Sequence, residues 1–357
     1  MMPEHEMDQS EKEPVRGTVL GELAFFVSTI LIGLVGAFLL LQYIVIPKLG
    51  FPGDLERIAK LGERLESSDR EDTKVEIVSN SVGVEGIIAS VVQEQLGDGF
   101  HVRNQSANGL DILSGRLYIS RVLASDPDVL VWIVRPEMMG KPRQINPEVA
   151  SVMRRFGYVE TAPWVESEKA TSGINQETLD RLGASDLENL VSFRTLPLRM
   201  LNEKARSRMR KGILLAKPLE TDAPYQIDLE ISGDKLTRHI DDVTASFEDR
   251  VGEGNSVGVE LIERTIKQVQ EASVTPVLVL APTHPDATVF TEADRVFRDA
   301  MHGVVERTGT ILIDLTGSLA VQEYADAIHP NRPGAKSLSE QLGVSLRGQL
   351  DNQEQDR

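Results

Sequence analysis

From residue 75 onward, short apolar runs alternate with amphipathic stretches. "VEIVSN", "FHVRNQS", "DVLVWIVRP", "TPVLVLAP" and "TILIDLT" read as five strands. They are brief, rich in β-branched residues and bounded by turn formers. Between them, "VEGIIASVVQEQL", "LDILSGRLYISRVLAS", "VELIERTIKQVQEAS" and "EADRVFRDAMHGVVERT" repeat apolar residues at helical spacing, and "GAKSLSEQLGVSLRGQL" reads as a last helix. Strands of this kind alternating with helices predict a parallel sheet covered on both faces. With right-handed crossovers this is an α/β fold with a doubly wound, flavodoxin-like parallel sheet. Over about 137–255 the pattern degrades into a large, mostly helical insertion, of which "SFRTLPLRMLNEKARSRMRK" is the clearest helix.

The N-terminal part follows another pattern. Residues 1–17 form a short polar tail, and residues 23–46 carry no charge. A helix of about 20 apolar residues crosses a bilayer core, so 18–47 is expected to be a transmembrane anchor. A cleaved signal peptide has a shorter apolar region followed by small residues; here "PKLGFPGD" follows. Leu55, Ile58, Leu61 and Leu65 then recur at helical spacing, so 48–73 reads as a juxtamembrane helix and linker, either a spacer or a packing helix. The main domain is expected over 74–350, with a polar tail at 351–357.

Composition narrows the function. A net charge of −17 disfavours nucleic acid as a partner, because phosphates need basic partners. The chain has no cysteine, which removes disulfides, a thiol nucleophile and cysteine-ligated metal. Nothing in it implies a metal or a dissociable cofactor.

Ligands of open parallel sheets bind beyond the carboxyl ends of the strands. After the five strands come Ser79, Asn80 and Ser81; Asn108 and Gly109; Arg135 and Pro136; Thr283 and His284; and, past a short loop, Asp326 and His329. These stretches are expected to converge on one edge. Ser81 stands between a strand and a helix, where it is either a helix cap or a nucleophile. His329 could serve as its base, with Asp326 orienting the ring. Backbone N–H groups at Ser81 and Gly109 could hold an oxyanion. His284 is a weaker candidate for a substrate contact than for an ordinary loop histidine. Arg135 reads equally well as a site group or a structural ion pair.

"VEIVSNSVGVEGI", "RNQSANGLD" and "DAIHPNRPGAKSLSEQL" resemble the first, second and last blocks of the SGNH/GDSL hydrolases, over roughly 75–136 and 255–350. The resemblance implies a three-layer SGNH-like domain with Ser81 as nucleophile, Asp326 and His329 as its partners, Asn80 in the Asp/Asn place of the first block and Gly109 at the oxyanion hole. Asn331 and Gly334 would shape the start of the last helix. Two places depart from the family pattern. Ser79 replaces the first-block Gly. "VWIVRPEMM" lacks the Asn of the third block, where Arg135 is the candidate substitute donor.

An anchored SGNH domain resembles envelope proteins that modify polysaccharides, some beside a membrane-bound O-acyltransferase. This implies an esterase or O-acyltransferase acting on a glycan outside the cytoplasm, from a single-pass protein whose N-terminus is cytoplasmic. The charges flanking the apolar run lean the other way, but that rule weakens for long domains. The other readings are a non-catalytic SGNH-like module that binds glycan or scaffolds an envelope assembly, and a cytoplasmic lipase-like enzyme. The basic stretch at 194–211 is either a solvated face or a contact for anionic lipid, acidic glycan or a partner.

Overall fold

The computed structural model describes residues 15–40, 53–65, 72–140, 147–158, 162, 164, 231–252, 256–287 and 291–355. The expected helix within 192–211 and the basic stretch lie outside the described residues. The chain divides into two compact units, 1–51 and 52–357.

In the first unit the described element is helix α1, Val15–Leu40. Its large apolar side chains, among them Leu23, Phe25, Phe26, Ile32 and Leu34, are exposed. Among the described residues no helix is long and apolar enough to cross a membrane. The described side chains run unbroken only over 21–37, and 41–52 lie outside the description.

The second unit begins earlier than the sequence pattern suggests. Helices α2 (Gly53–Ala59) and α3 (Leu61–Leu65) are part of it. They bury Leu55, Ile58 and Leu61. Arg57, also buried, donates to the carbonyls of Ser106 (2.6 Å) and Asn104 (2.8 Å). Residues 53–65 are therefore packing helices of the domain and not a spacer.

Five parallel strands follow: β1 Thr73–Val78, β2 Phe100–Asn104, β3 Val129–Val134, β4 Thr275–Leu280 and β5 Ile311–Asp314. Their order is β2-β1-β3-β4-β5, the flavodoxin-like order. Central β3 is buried at every residue, as expected of a strand covered on both faces. Val129, Val131 and Ile133 share one core with Val92 and Leu96 of helix α5 (Ala89–Leu96) and with Leu338, Leu342 and Leu346 of the final helix α11 (Arg332–Gln355). The alternate residues of β3 face the other layer. That layer contains α6 (Ile112–Leu123), α9 (Ser256–Glu271) and α10 (Glu292–Thr308), with α9 packed against α6, α10 and β4. Two further helices, α7 (Pro147–Arg155) and α8 (Asp234–Gly252), lie within the expected insertion.

Two boundaries differ from the sequence pattern. The helix expected over 84–96 is two helices, α4 (Ser81–Gly86) and α5. Between them Ile87 and Ile88 are extended. The Asn104 amide takes the carbonyls of Gly83 and Ile87 (both 2.8 Å), and the Ile88 N–H donates to Ser339 Oγ (2.8 Å). These tertiary bonds compete with the helix's own ladder. At the other end, α11 continues to Gln355, so most of the expected polar tail is helical.

Candidate active site

The sheet brings the chain to one edge at the carboxyl ends of its strands. After β1, the chain turns at Ser79 and Asn80 into α4. The Asn80 side chain accepts the Val82 N–H (3.1 Å) and caps the helix, which leaves Ser81 as its first residue. Gly83 allows the turn to close, because a Cβ there would collide with Ser79 and Ser106. Ser79 itself is buried and turned away, its hydroxyl donating to the Ile133 carbonyl (3.3 Å).

The last loop supplies the partners. His329 Nε2 lies 2.9 Å from Ser81 Oγ, and His329 Nδ1 lies 2.8 Å from Asp326 Oδ2. Asp326 Oδ1 accepts the backbone N–H groups of Ile328 (2.8 Å) and His329 (2.7 Å). Burial would raise the Asp326 carboxyl, but the His329 bonds and the loop amides outweigh it and bring it down to about 2. The carboxylate is thus ionised and aimed at the ring nitrogen opposite Ser81.

Asn331 locks this loop onto the last helix. Its Nδ2 donates to the Gln322 carbonyl (2.8 Å), while its Oδ1 accepts the Gly334 N–H (3.0 Å). Any side chain at 334 would strike the Glu323 backbone, so glycine is required there.

Gly109 takes φ +75°, a left-handed conformation that glycine adopts without strain. Asp111 fixes the turn by capping α6 through the Ser114 N–H (2.7 Å). Among the described residues, neither the Ser81 nor the Gly109 backbone N–H has a protein acceptor. Both residues line one cavity of about 400 Å³, together with Asn80, Arg135 and Ile328.

Arg135 is 3% exposed and pairs with Glu137 (3.0 Å). Its guanidinium lies 5.4 Å from the centre of the Phe247 ring, and its Nε–H has no acceptor among the described residues. Arg135 thus lines the cavity and is also held in an ion pair. His284 is not on the cavity wall. It is 1% exposed, packs on Tyr324 with ring centres 5.2 Å apart, and accepts the Asp286 N–H at Nδ1 (3.2 Å). Burial lowers its pKa, against the pull of Asp286 and Asp326. The structure thus brings six of the seven candidates to the cavity or the triad, and leaves His284 packed behind.

Two features escaped the sequence pattern. The cavity's far wall is α8, which presents His239, Asp242, Ser246 and Arg250. A signal was present: Ile240, Val243 and Phe247 recur at helical spacing within the insertion, which reads as mostly helical without this helix being singled out. The second is Glu85, one turn after Ser81. It is 8% exposed, and burial raises its pKa to about 8, with Arg57 opposing and Asp326 reinforcing the rise.

No family model matches the chain, and no curated protein does. Solved structures similar to it include a candidate acylhydrolase from Bacteroides fragilis (10% identity, TM-score 0.39, covering 84% of this chain and 98% of that one). Another is Est24, a carbohydrate acetylesterase from Sinorhizobium meliloti (10% identity, TM-score 0.35, covering 79% and 99%). These overlaps are loose, and the chemistry rests on the side chains of this chain.

Proposed function

We propose that this chain is a serine esterase or O-acyltransferase of the SGNH kind, anchored to a membrane and acting on acyl groups of a polysaccharide outside the cytoplasm. The observation that carries the reading is the continuous chain of contacts from Ser81 through His329 to Asp326, on the wall of a cavity that also holds two unused backbone N–H groups.

The chemistry follows from that arrangement. Ser81 Oγ attacks the ester carbonyl carbon while His329 Nε2 takes its proton. Asp326 stabilises the imidazolium. The carbonyl oxygen becomes an oxyanion held by the Ser81 and Gly109 N–H groups, with Arg135 as the further donor. When the C–O bond breaks, His329 returns the proton to the leaving sugar oxygen. The acyl-serine is then attacked by water in hydrolysis, or by another sugar hydroxyl in transfer, with His329 again the base.

The membrane part of the reading rests on the uncharged run at 23–46 and on the exposed apolar side chains of α1. Exposed apolar surface of that extent needs a cover. A polysaccharide substrate places the domain on the exported side. A reporter fused at the C-terminus should be active outside the cytoplasm; activity only inside would reject the orientation.

Full-length protein in detergent should hydrolyse p-nitrophenyl acetate, and Ser81→Ala should abolish the activity. Undiminished hydrolysis by Ser81→Ala would refute the reading. Arg135 in place of the family's Asn favours a second reading, a glycan-binding module without activity. A folded wild type that binds glycan but turns over no ester would establish that one.

A further inference from the structure

One wall of the cavity beside Ser81 is not needed by the triad. Helix α8 presents His239, Asp242 and Ser246 to it, three and four residues apart and hence on one face of the helix. Val243 and Phe247 are buried against Ala287 and Ala327, which holds α8 to the loop that carries Asp326. The polar stripe is therefore fixed in place, not free to swing.

Its chemistry is varied. His239 Nδ1 accepts the Ala327 N–H (3.4 Å), so a neutral ring carries its proton on Nε2, as a donor. Asp242 is exposed and has no cationic partner among the described residues. Ser246 is half-buried, and its hydroxyl, both donor and acceptor, makes no hydrogen bond among them. The three span about 10 Å along the helix. The acyl carbonyl does not need them, because the Ser81 and Gly109 N–H groups already face it. The alcohol half of the ester does.

We infer that the stripe of His239, Asp242 and Ser246 on α8 is the subsite for the alcohol half of the substrate, and that it takes a neutral, polyhydroxylated sugar. The inference rests on the serine esterase reading. A carboxylate accepts hydroxyl donors strongly, and it repels an anionic sugar. The chain's net charge of −17 adds to that repulsion. Of the two arginines that line the cavity, Arg135 is already paired with Glu137, and Arg250 is buried with its side chain packed on Gly140.

The test compares kcat/KM for O-acetylated cellobiose with kcat/KM for p-nitrophenyl acetate, in the full-length protein. Asp242→Ala should lower the cellobiose-to-aryl ratio about tenfold, the worth of a hydrogen bond to a charged group. Asp241→Ala, an exposed neighbour off the cavity wall, should leave the ratio as in wild type. An unchanged ratio in Asp242→Ala, an equal fall in both variants, or a wild type that cleaves the aryl ester but not acetylated cellobiose would overturn the subsite while the esterase reading stands. A wild type that cleaves neither ester would remove both.

Discussion

His329 Nε2 and Ser81 Oγ lie 2.9 Å apart although 248 residues separate them in the chain. Strand β1 delivers Ser81 to the sheet edge. The loop between Glu323 and α11 delivers His329, pinned by Asn331 and by the Asp326 carboxylate. The contact is thus a product of the fold, and each element that makes it can be perturbed separately.

Asp326 holds the imidazole with its proton on Nδ1. Asp326→Asn should keep the fold but present the wrong ring tautomer to Ser81, and kcat should fall about 10³–10⁴-fold. The carboxyl is brought down to about 2 in the folded chain, below its unfolded value of about 3.9. Its contribution to stability is therefore present above pH ~4 and lost only as pH falls through about 2. A pH–rate profile should accordingly show no loss of activity from Asp326 protonation above about pH 3.

Gly109 is required for its backbone, not for space. A Cβ at 109 would meet nothing within 4 Å, but the φ of +75° strains any side-chain-bearing residue. Gly109→Ala should cost about 1–2 kcal/mol of stability and shift the N–H proposed to hold the oxyanion. Loss of one such donor lowers kcat about 10²–10³-fold. A thermal melt beside a kinetic assay would separate the two effects; near-normal kcat would remove Gly109 from the oxyanion hole.

Glu85 predicts the opposite pH behaviour from Asp326. Its carboxyl is raised to about 8 by burial, so the folded chain keeps a proton that the unfolded chain releases near pH 4–5. Stability from this group is full below that range and declines as pH rises towards about 8. Glu85→Gln should flatten the decline. Its melting temperature should exceed that of wild type at pH 8 by roughly 3–5 °C, with little difference at pH 4. Equal shifts at both pH values would show that Glu85 is charged in the folded chain.

Much of this was readable beforehand because it depends on local pattern. The five strands carry apolar runs with clear bounds, and Asp326, His329, Asn331 and Gly334 sit within one short motif. What the pattern missed depends on distant partners. The break at Ile87 and Ile88 is set by Asn104 and Ser339. Residues 53–65 join the domain because Arg57 reaches carbonyls about 50 residues away. His284 follows its strand as expected, but it packs against Tyr324, which no local pattern announces. The α8 wall was hidden because its polar residues look like an ordinary solvated face until the helix is placed over Ser81.

The central claim is that Ser81 is an activated nucleophile. Full-length protein should be treated with a fluorophosphonate probe, digested and mapped by mass spectrometry. The account predicts an adduct on Ser81 in the wild type, none in Ser81→Ala, and strongly slowed labelling in His329→Ala. A folded wild type that takes no label at Ser81 would contradict it.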